Sequence, residues 1–249
     1  MKSATLTLPD GRILNYHIRP STRAKYMRMQ FSVDKGLIVT QPKGISILRL
    51  TEWVHSKLDW ISKVSLDVAA KREQLTPTEP LQRPDSLELT AINQNIRVQY
   101  ILTKSRQIRM EHNKNGVLTL EGATDNTEHC ILSLQKWTQN YAKQPLGLAL
   151  QKESQRTGLS YESYRVKAQR SRWGSCSSRG NINLNYKLIL MPTEWMRYTL
   201  IHELCHTQEM NHSKRFWALV EQHMPDYQRI HNEMKRADTV LPDWANYKL

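Results

Sequence analysis

The 249-residue sequence has only three cysteines, an odd number without paired spacing, which argues against a disulfide framework and favours a reducing, cytoplasmic setting. No apolar run approaches the ~18 residues that a transmembrane helix needs. The N-terminus lacks the hydrophobic segment of a secretory signal. Nine glycines and ten prolines are too few to indicate disorder. The composition therefore predicts a soluble globular protein of the cytoplasm, with no membrane partner.

Acidic residues are few compared with basic ones, 23 Asp and Glu against 36 Lys and Arg, and the net charge is +13. Solubility accounts for this charge, and so does an acidic partner such as nucleic acid or an acidic substrate. Part of the excess is concentrated in residues 151–190, which carry eight Lys and Arg against two Glu. Because no nucleic-acid-binding motif is present, the sequence favours only a weak association with nucleic acid through a basic surface.

The N-terminal part is rich in predicted strands. Hydrophobic alternation predicts two strand pairs, and helical spacing then predicts a helix with Ser46 as its N-cap. The predicted elements are a hairpin over 3–19, strands over 26–31 and 37–40 around a turn at 34–36, and a helix over 46–69. Residues 70–86 hold three prolines and few apolar residues, and they indicate a linker.

A second unit follows the linker and resembles the first in outline. The predicted elements are strands over 87–91 and 96–102, a strand pair around 108–110 and 116–119, and a long helix over 126–155. Residues 108–110 and 116–119 are similar to residues 27–29 and 36–39, which indicates an internal two-fold repeat. A generic pattern of four strands and a helix explains the similarity equally well.

The last part is predicted to be mostly helical. A strand over 164–167 enters the basic stretch, and Ile182 and Leu184 alternate with asparagines in a strand with one buried face. Pro192 is placed to open a helix that reaches about residue 210, and Ser213 is placed to cap the next. The predicted helices cover 192–210, 214–223 and 225–236, and the tail from Ala237 is expected to be irregular.

The predicted helix over 192–210 contains the motif His202-Glu203-Leu204-Cys205-His206. Positions i and i+4 of an α-helix lie about 40° apart around the axis, so His202 and His206 can share one small cation. Glu203 is close enough to reach a water molecule on that metal. This layout is typical of zincins, in which two imidazoles, a carboxylate base and a third ligand from downstream form the site. Zinc is the predicted metal because imidazole nitrogens suit it.

His212 is the predicted third ligand. Five residues separate it from His206, as in metzincins, but those enzymes have a glycine midway where this chain has Glu209. The turn must therefore come from elsewhere, and Asn211, which tolerates left-handed conformations, is its predicted pivot. The competing third ligands are His223 and His231.

Glu203 is predicted to be the general base that takes a proton from the metal-activated water and passes it to the leaving amine. The predicted activity is hydrolysis of a peptide bond in a peptide or protein substrate. No covalent intermediate is required, so Ser175 and Cys176 need not be nucleophiles, and Cys205 is expected to be a small buried residue. The strand near Ser175 is expected to border the cleft and to pair with an extended peptide. The candidate oxyanion stabilisers are Tyr227, His223 and Arg172.

Two other interpretations stay open at this point. The zinc site could be structural or vestigial in a basic nucleic-acid-associated protein, although structural zinc usually has four ligands, often cysteines. The same three histidines also permit a metal hydrolase that cleaves a bond other than a peptide bond. Salt-dependent DNA binding without Glu203-dependent cleavage would favour the binding protein.

Several motifs together resemble the YgjP-like metallopeptidases. They are RWGSC at 172–176, GNINLN at 180–185, HELCH at 202–206, NHS at 211–213, FW at 216–217 and MPDY at 224–227. The resemblance implies a zinc-dependent catalytic domain of the zincin type, with His202, His206 and His212 as ligands and Glu203 as catalyst. The family is distantly similar to SprT-like proteases, some of which act on proteins attached to DNA, and this makes a DNA-associated substrate worth testing.

The predicted fold class is α+β. Residues 1–85 are expected to form an N-terminal β/α unit, and residues 86–249 a zincin-like metallopeptidase domain. Within that domain, residues 86–157 are predicted to form a β-sheet with a long helix, and residues 158–249 a helical catalytic core with a small sheet.

Overall fold

The computed structural model describes residues 2–32, 36–75 and 81–247, and it confirms the α+β class. The chain divides into two compact units, Met1–Glu79 and Pro80–Leu249. This division falls inside the predicted linker, while the domain boundary at residues 85 and 86 stays a prediction. None of the described helices has the length and apolar character needed to cross a membrane.

The first unit is a four-stranded sheet followed by two helices. Its elements are β1 (Lys2–Thr7), β2 (Ile13–Ser21), β3 (Arg28–Ser32), β4 (Gly36–Pro42), α1 (Ile47–His55) and α2 (Leu58–Leu75). The strand order is β1-β2-β4-β3, in which β2 and β4 run parallel and the outer pairs run antiparallel. Both predicted strand pairs and the Ser46 cap are confirmed. The turn predicted at 34–36 lies partly outside the described residues.

The helix predicted over 46–69 is in fact two helices, and the second extends into the predicted linker as far as Leu75. The Ser56 hydroxyl donates a hydrogen bond to the Trp53 carbonyl oxygen at 2.8 Å. The Lys57 N–H then bonds to the Val54 carbonyl, one residue short of the α-helical pattern, and this tighter turn ends α1. Apolar residues of both helices, including Leu50, Val54 and Ile61, complete the core over the sheet.

The second unit begins with a sheet of the same topology. Its first elements are β5 (Ser86–Leu89), β6 (Gln94–Leu102), β7 (Arg109–His112), β8 (Val117–Gly122), α3 (Thr127–Tyr141) and α4 (Lys143–Thr157). The order β5-β6-β8-β7 again has a parallel central pair between antiparallel outer pairs. A simple meander would not contain that parallel pair, so the topology agrees with the predicted internal repeat.

The prediction of one long helix over 126–155 is also wrong, because α3 ends at Tyr141 and α4 begins at Lys143. Pro145 explains the break. It has no N–H to donate to the carbonyl of Tyr141, and its ring would clash with that carbonyl in a continuous helix. The buried Ala142 forms the corner between the two helices.

The rest of the unit, over the residues that the structure describes, contains a small sheet and four further α-helices. These elements are β9 (Ser163–Lys167), β10 (Gly174–Cys176), β11 (Asn181–Asn185), α5 (Thr193–Cys205), α6 (Lys214–His223), α7 (Tyr227–Glu233) and α8 (Asp243–Asn246). The sheet order is β10-β11-β9, with β10 at one edge. One continuous hydrophobic core joins the larger sheet, α3, α4 and α5. The tail is more regular than predicted, because a 3-10 helix over Met234–Thr239 and α8 both follow α7.

Candidate metal centre

Helix α5 carries the HELCH motif in its last turn, up to Cys205, and is held firmly in the core, since nine of its 13 residues are buried. Two ion pairs fix it from its exposed side. Arg197 lies 2.8 Å from the carboxylate of Glu153 on α4, and Glu194 lies 2.8 Å from the guanidinium of Arg229 on α7. The elements around α5 therefore determine where its last turn presents the motif.

The chain turns just after this motif, earlier than predicted. Helix α5 ends at Cys205 and not at residue 210, and Asn211 does not have the left-handed conformation expected of a pivot. The turn is a tightening of the last helical residues instead. The Thr207 hydroxyl donates to the Leu204 carbonyl oxygen at 2.7 Å, and the N–H groups of Gln208 and Glu209 both bond to the Cys205 carbonyl.

This turn brings His212 back over the helix. His202, His206 and His212 each present one ligand atom, and these atoms lie within 4.8 Å of one another. The Nε2 atoms of His202 and His212 are 3.1 Å apart. Within the described residues no other group of His, Cys, Asp or Glu is arranged in this way. The three side chains suit a metal that prefers imidazole, and their binding of one stays a prediction.

Two of the three imidazoles are held in the neutral form that a metal requires. Burial, and then the neighbouring His206 and His212, lower the pKa of His202 to about 3. Burial also lowers the pKa of His206. Both rings therefore stay uncharged at neutral pH and have a nitrogen lone pair available.

The ring of Phe216, on α6, contacts all three histidines. It is fully buried and stacks on His206 with 4.4 Å between ring centroids, and its centroid lies 4.9 Å from that of His202 and 4.8 Å from that of His212. The neighbouring Trp217 stacks on the exposed His212 at 5.6 Å. As predicted, Ser213 caps α6, because its hydroxyl accepts a hydrogen bond from the Phe216 N–H. The cap thus places both aromatic rings against the histidines.

The Nδ1 atoms of His202 and His206 have partners in the protein. Nδ1 of His206 is 3.0 Å from the carbonyl oxygen of Glu209. Nδ1 of His202 is 3.4 Å from the hydroxyl of Tyr198, one helical turn earlier. Each ring therefore turns Nδ1 toward the protein, and Nε2 of His202 faces the other histidines.

Glu203 has a buried carboxyl group with an oxygen that forms no hydrogen bond in the described part of the chain. Only 5% of the residue is exposed, and its Oε2 has no hydrogen-bond partner within the described residues. Burial raises the pKa of Glu203 to about 8, and the positive charge of Arg172 opposes that rise. A buried polar atom without a partner is costly and rare. It is the arrangement expected where a metal or a water is to be added, so the residues fit a metal site.

The edge strand β10 packs directly on this carboxylate. A methyl group on Gly174 would lie 2.5 Å from Oε1 of Glu203 and 2.6 Å from its Cγ. Only glycine leaves room for the side chain in its present position. The loop that leads into β10 is held by the buried Asn185, whose amide donates to the carbonyl oxygens of Gln169 and Arg172.

The competing ligands lie outside the cluster of three histidines. Nδ1 of His231 is 2.8 Å from the Tyr198 hydroxyl, and the ring rests against the edge of Trp217. Burial lowers its pKa. His223 ends α6, where its carbonyl accepts from Arg156, and burial lowers its pKa too.

The other predicted residues are placed as follows. Tyr227 is buried and stacks on Trp217 at 5.3 Å, while Arg172 is exposed beside Glu203. Cys205 is fully buried, and burial raises the pKa of its thiol to about 12. Burial, and then the charge of Glu203, raise the pKa of the Cys176 thiol to about 11. Both cysteines are therefore thiols at neutral pH, in agreement with a packing role.

No role in the site was predicted for Tyr198, Gly174 or Phe216, although Gly174 and Phe216 lie in two of the motifs that resemble the family. The contact of Tyr198 with His202 could have been predicted from the sequence, since Tyr198 precedes His202 by four positions and so lies on the same face of the helix. Gly174 and Phe216 act through tertiary packing, which residue spacing does not reveal.

Comparison with known proteins gave two findings. The sequence model of the YgjP-like family, described as a metallopeptidase domain, matches residues 25–237 of the chain. The solved structure of the metallopeptidase zymogen of Pyrococcus abyssi abylysin is 25% identical, with a TM-score of 0.34, and the match covers 37% of this chain and 95% of that one. No curated protein matches the chain.

Proposed function

The chain belongs to the YgjP-like family of metallopeptidase domains, and from this we propose that it hydrolyses peptide bonds, with zinc held by His202, His206 and His212 and with Glu203 as general base. One observation carries the proposal. A buried carboxylate oxygen without a partner belongs to the residue next to three convergent imidazoles. A site that only stabilised the fold would have no use for that carboxylate, and would usually have a fourth protein ligand.

Zinc bound by the three histidines would act as a Lewis acid and lower the pKa of a water toward 7. Glu203 takes the proton from the attacking water and passes it to the leaving amine. Burial raises the pKa of the metal-free carboxyl to about 8, and the charge of a bound zinc ion would lower it again, so that Glu203 would be the ionised carboxylate that a general base must be. Gly174 keeps the carboxylate in position.

The substrate is proposed to be an extended peptide that pairs with β10. This strand has β11 on one side, lies at the edge of its sheet and touches Glu203 through Gly174. An edge strand offers unpaired backbone groups to a peptide. Arg172 is the favoured oxyanion stabiliser among the three candidates, because its charge acts on Glu203 while His223 lies beside Arg156.

The first test is the metal content of the purified protein and its His212→Ala variant. Near-stoichiometric zinc that is lost in the variant is expected, and the exposed His129→Ala variant on α3 is the matched control. Zinc that survives His212→Ala would remove the third ligand from the proposal. The second test is a peptide-cleavage screen, in which Glu203→Gln should bind zinc and abolish cleavage. Cleavage that persists in that variant would remove Glu203 from the mechanism.

A second candidate function is association with nucleic acid, and the outer face of the small sheet favours it. Arg165 and Lys167 are exposed on β9, on the side opposite the buried Val166. In register with them, hydrogen bonds join Ser163 to Asn181 and Asn183 to Ser175 across the sheet. The face is polar and basic, and phosphate groups are the ligands that such side chains bind.

This candidate is tested by the salt dependence of binding to duplex DNA. Replacing Arg165 and Lys167 by alanine should make the slope of log K against log salt shallower by about 1.8, since each phosphate contact contributes about 0.9. The matched control replaces the exposed Lys57 and Lys63 of the first unit. Absence of DNA binding at low salt would refute the candidate, and binding without Glu203-dependent cleavage would favour it over the peptidase.

We further propose the cytoplasm as the compartment. All three cysteines, Cys130, Cys176 and Cys205, are unpaired, which suits a reducing environment.

A further inference from the structure

The hydroxyl of Tyr198 lies between two imidazoles. It is 3.4 Å from Nδ1 of His202 and 2.8 Å from Nδ1 of His231. Only 5% of Tyr198 is exposed to solvent. The hydroxyl therefore depends on these two nitrogens for its hydrogen bonds, and it has a single proton to donate to one of them.

The geometry of His202 decides which nitrogen receives that proton. Its Nε2 faces Nε2 of His212 at 3.1 Å and is therefore the ligand atom. A ligand nitrogen must carry no proton, so the neutral His202 ring must carry its proton on Nδ1. His202 then donates to the oxygen of Tyr198, and the Tyr198 proton has to point the other way, toward His231.

We propose that Tyr198 and His231 are positioning residues that fix the tautomer of His202. His231 accepts the hydroxyl proton, the hydroxyl oxygen accepts the proton on Nδ1 of His202, and Nε2 of His202 is left free for the metal. The proposal rests on the proposed function, in which His202 is a ligand. His231 thereby has a role after all, although it lies outside the group of ligand atoms.

The contrast with His206 shows why the third residue is needed. The partner of His206 is the carbonyl oxygen of Glu209, which can only accept, and so it fixes the tautomer unaided. A hydroxyl both donates and accepts. Without His231, the Tyr198 proton would find Nδ1 of His202 as its acceptor, and the proton of His202 would then move to Nε2, which is the wrong nitrogen for metal binding.

The first experiment needs no metal. Protein labelled with ¹⁵N-histidine is stripped with a chelator, and the two nitrogens of His202 are distinguished by long-range ¹H–¹⁵N correlation. The expected wild-type tautomer has its proton on Nδ1, and His231→Leu should shift the population toward a proton on Nε2. His231→Asn, which can keep an acceptor oxygen near the hydroxyl, should restore the wild-type pattern. His223→Leu is the matched control and should leave the tautomer unchanged.

The second experiment measures zinc affinity by competition with a chelator. Loss of an outer partner of a ligating histidine typically weakens metal binding by 10- to 100-fold, so Tyr198→Phe and His231→Leu should each weaken it about tenfold. The double variant should bind zinc with the same affinity as the single variant of lower affinity, because both changes break the same chain of hydrogen bonds. Tyr164→Phe, which removes a hydroxyl on β9 that donates to the backbone carbonyl of Lys143 on α4, should have no effect.

Two results would overturn the proposal: an unchanged His202 tautomer in His231→Leu, or zinc losses that add in the double variant. A wild-type protein that binds no zinc would refute the proposed function instead. The tautomer comparison would still decide the role of His231 in that case, because it is made on the metal-free protein.

Discussion

Replacing Glu203 by glutamine should stabilise the metal-free protein at alkaline pH and lose this effect in acid. The carboxyl has a reference pKa of 4.5 and a pKa of about 8 in the folded chain, because burial disfavours its charged form. Between these values the folded state keeps a proton that the unfolded state has released. The free energy of unfolding of the wild type therefore falls as pH rises from 4.5 to 8. Glutamine has no such proton to lose.

The magnitude follows from the difference in pKa. One unit corresponds to 1.36 kcal/mol, so a rise from 4.5 to about 8 corresponds to about 5 kcal/mol. The stability difference between Glu203→Gln and wild type should grow by that order between pH 4.5 and pH 8.5. His202, whose lowered pKa destabilises both proteins in acid, is common to the pair and cancels in the difference.

The assay is urea denaturation of chelator-treated protein at pH 4.5, 6, 7 and 8.5. The matched control is Glu221→Gln, which makes the same chemical change at an exposed glutamate on α6 and removes no buried carboxyl. A difference for Glu203→Gln that stays flat across the series would show that the carboxyl ionises freely in the folded protein. The argument that burial sets its pKa would then be wrong.

Three further predictions concern the packing of the site. Gly174→Ala should force the Glu203 carboxylate to move and lower kcat by about 100-fold while zinc is retained, as steady-state kinetics and metal analysis would show. Phe216→Leu should weaken zinc binding about tenfold in a chelator competition, because the ring that contacts all three histidines is lost. Arg197→Met should leave Glu153 without its partner on α5 and lower the urea midpoint, a change that Glu153→Gln in the same protein should partly reverse.

The sequence was informative where one local period determines the geometry. Short-range rules account for the spacing of His202 and His206 on a helix, for the Ser213 cap, and for the antiparallel strand pairs of the two four-stranded sheets. The helix boundaries failed because the hydrophobic pattern continues through Ser56 and Pro145, while a hydroxyl and a missing N–H interrupt the backbone hydrogen bonds. A periodic pattern reports which face is buried and not where the hydrogen bonds stop.

The site was predicted as a set of residues but not as a packed structure. His212 was chosen by its distance along the chain, while the turn that returns it is a tightened helical end and not a left-handed Asn211. The contact of Glu203 with Gly174 on β10 joins segments far apart in sequence, and that of His206 with Phe216 joins the end of α5 to the next helix across a turn. Such contacts depend on the tertiary fold, so no spacing rule within one segment could have found them.

All three histidines of the site come from residues 202–212, a single short stretch whose supporting ring, Phe216, is already part of the core. A metal that links such neighbouring positions closes a very small loop and removes little disorder from the unfolded chain. If the three histidines bind a metal as proposed, loss of the ion should therefore leave the protein folded but inactive, and the metal could be bound again without an unfolded intermediate. The concentration of available metal in the cell would then control the activity reversibly, without synthesis or degradation of the protein itself.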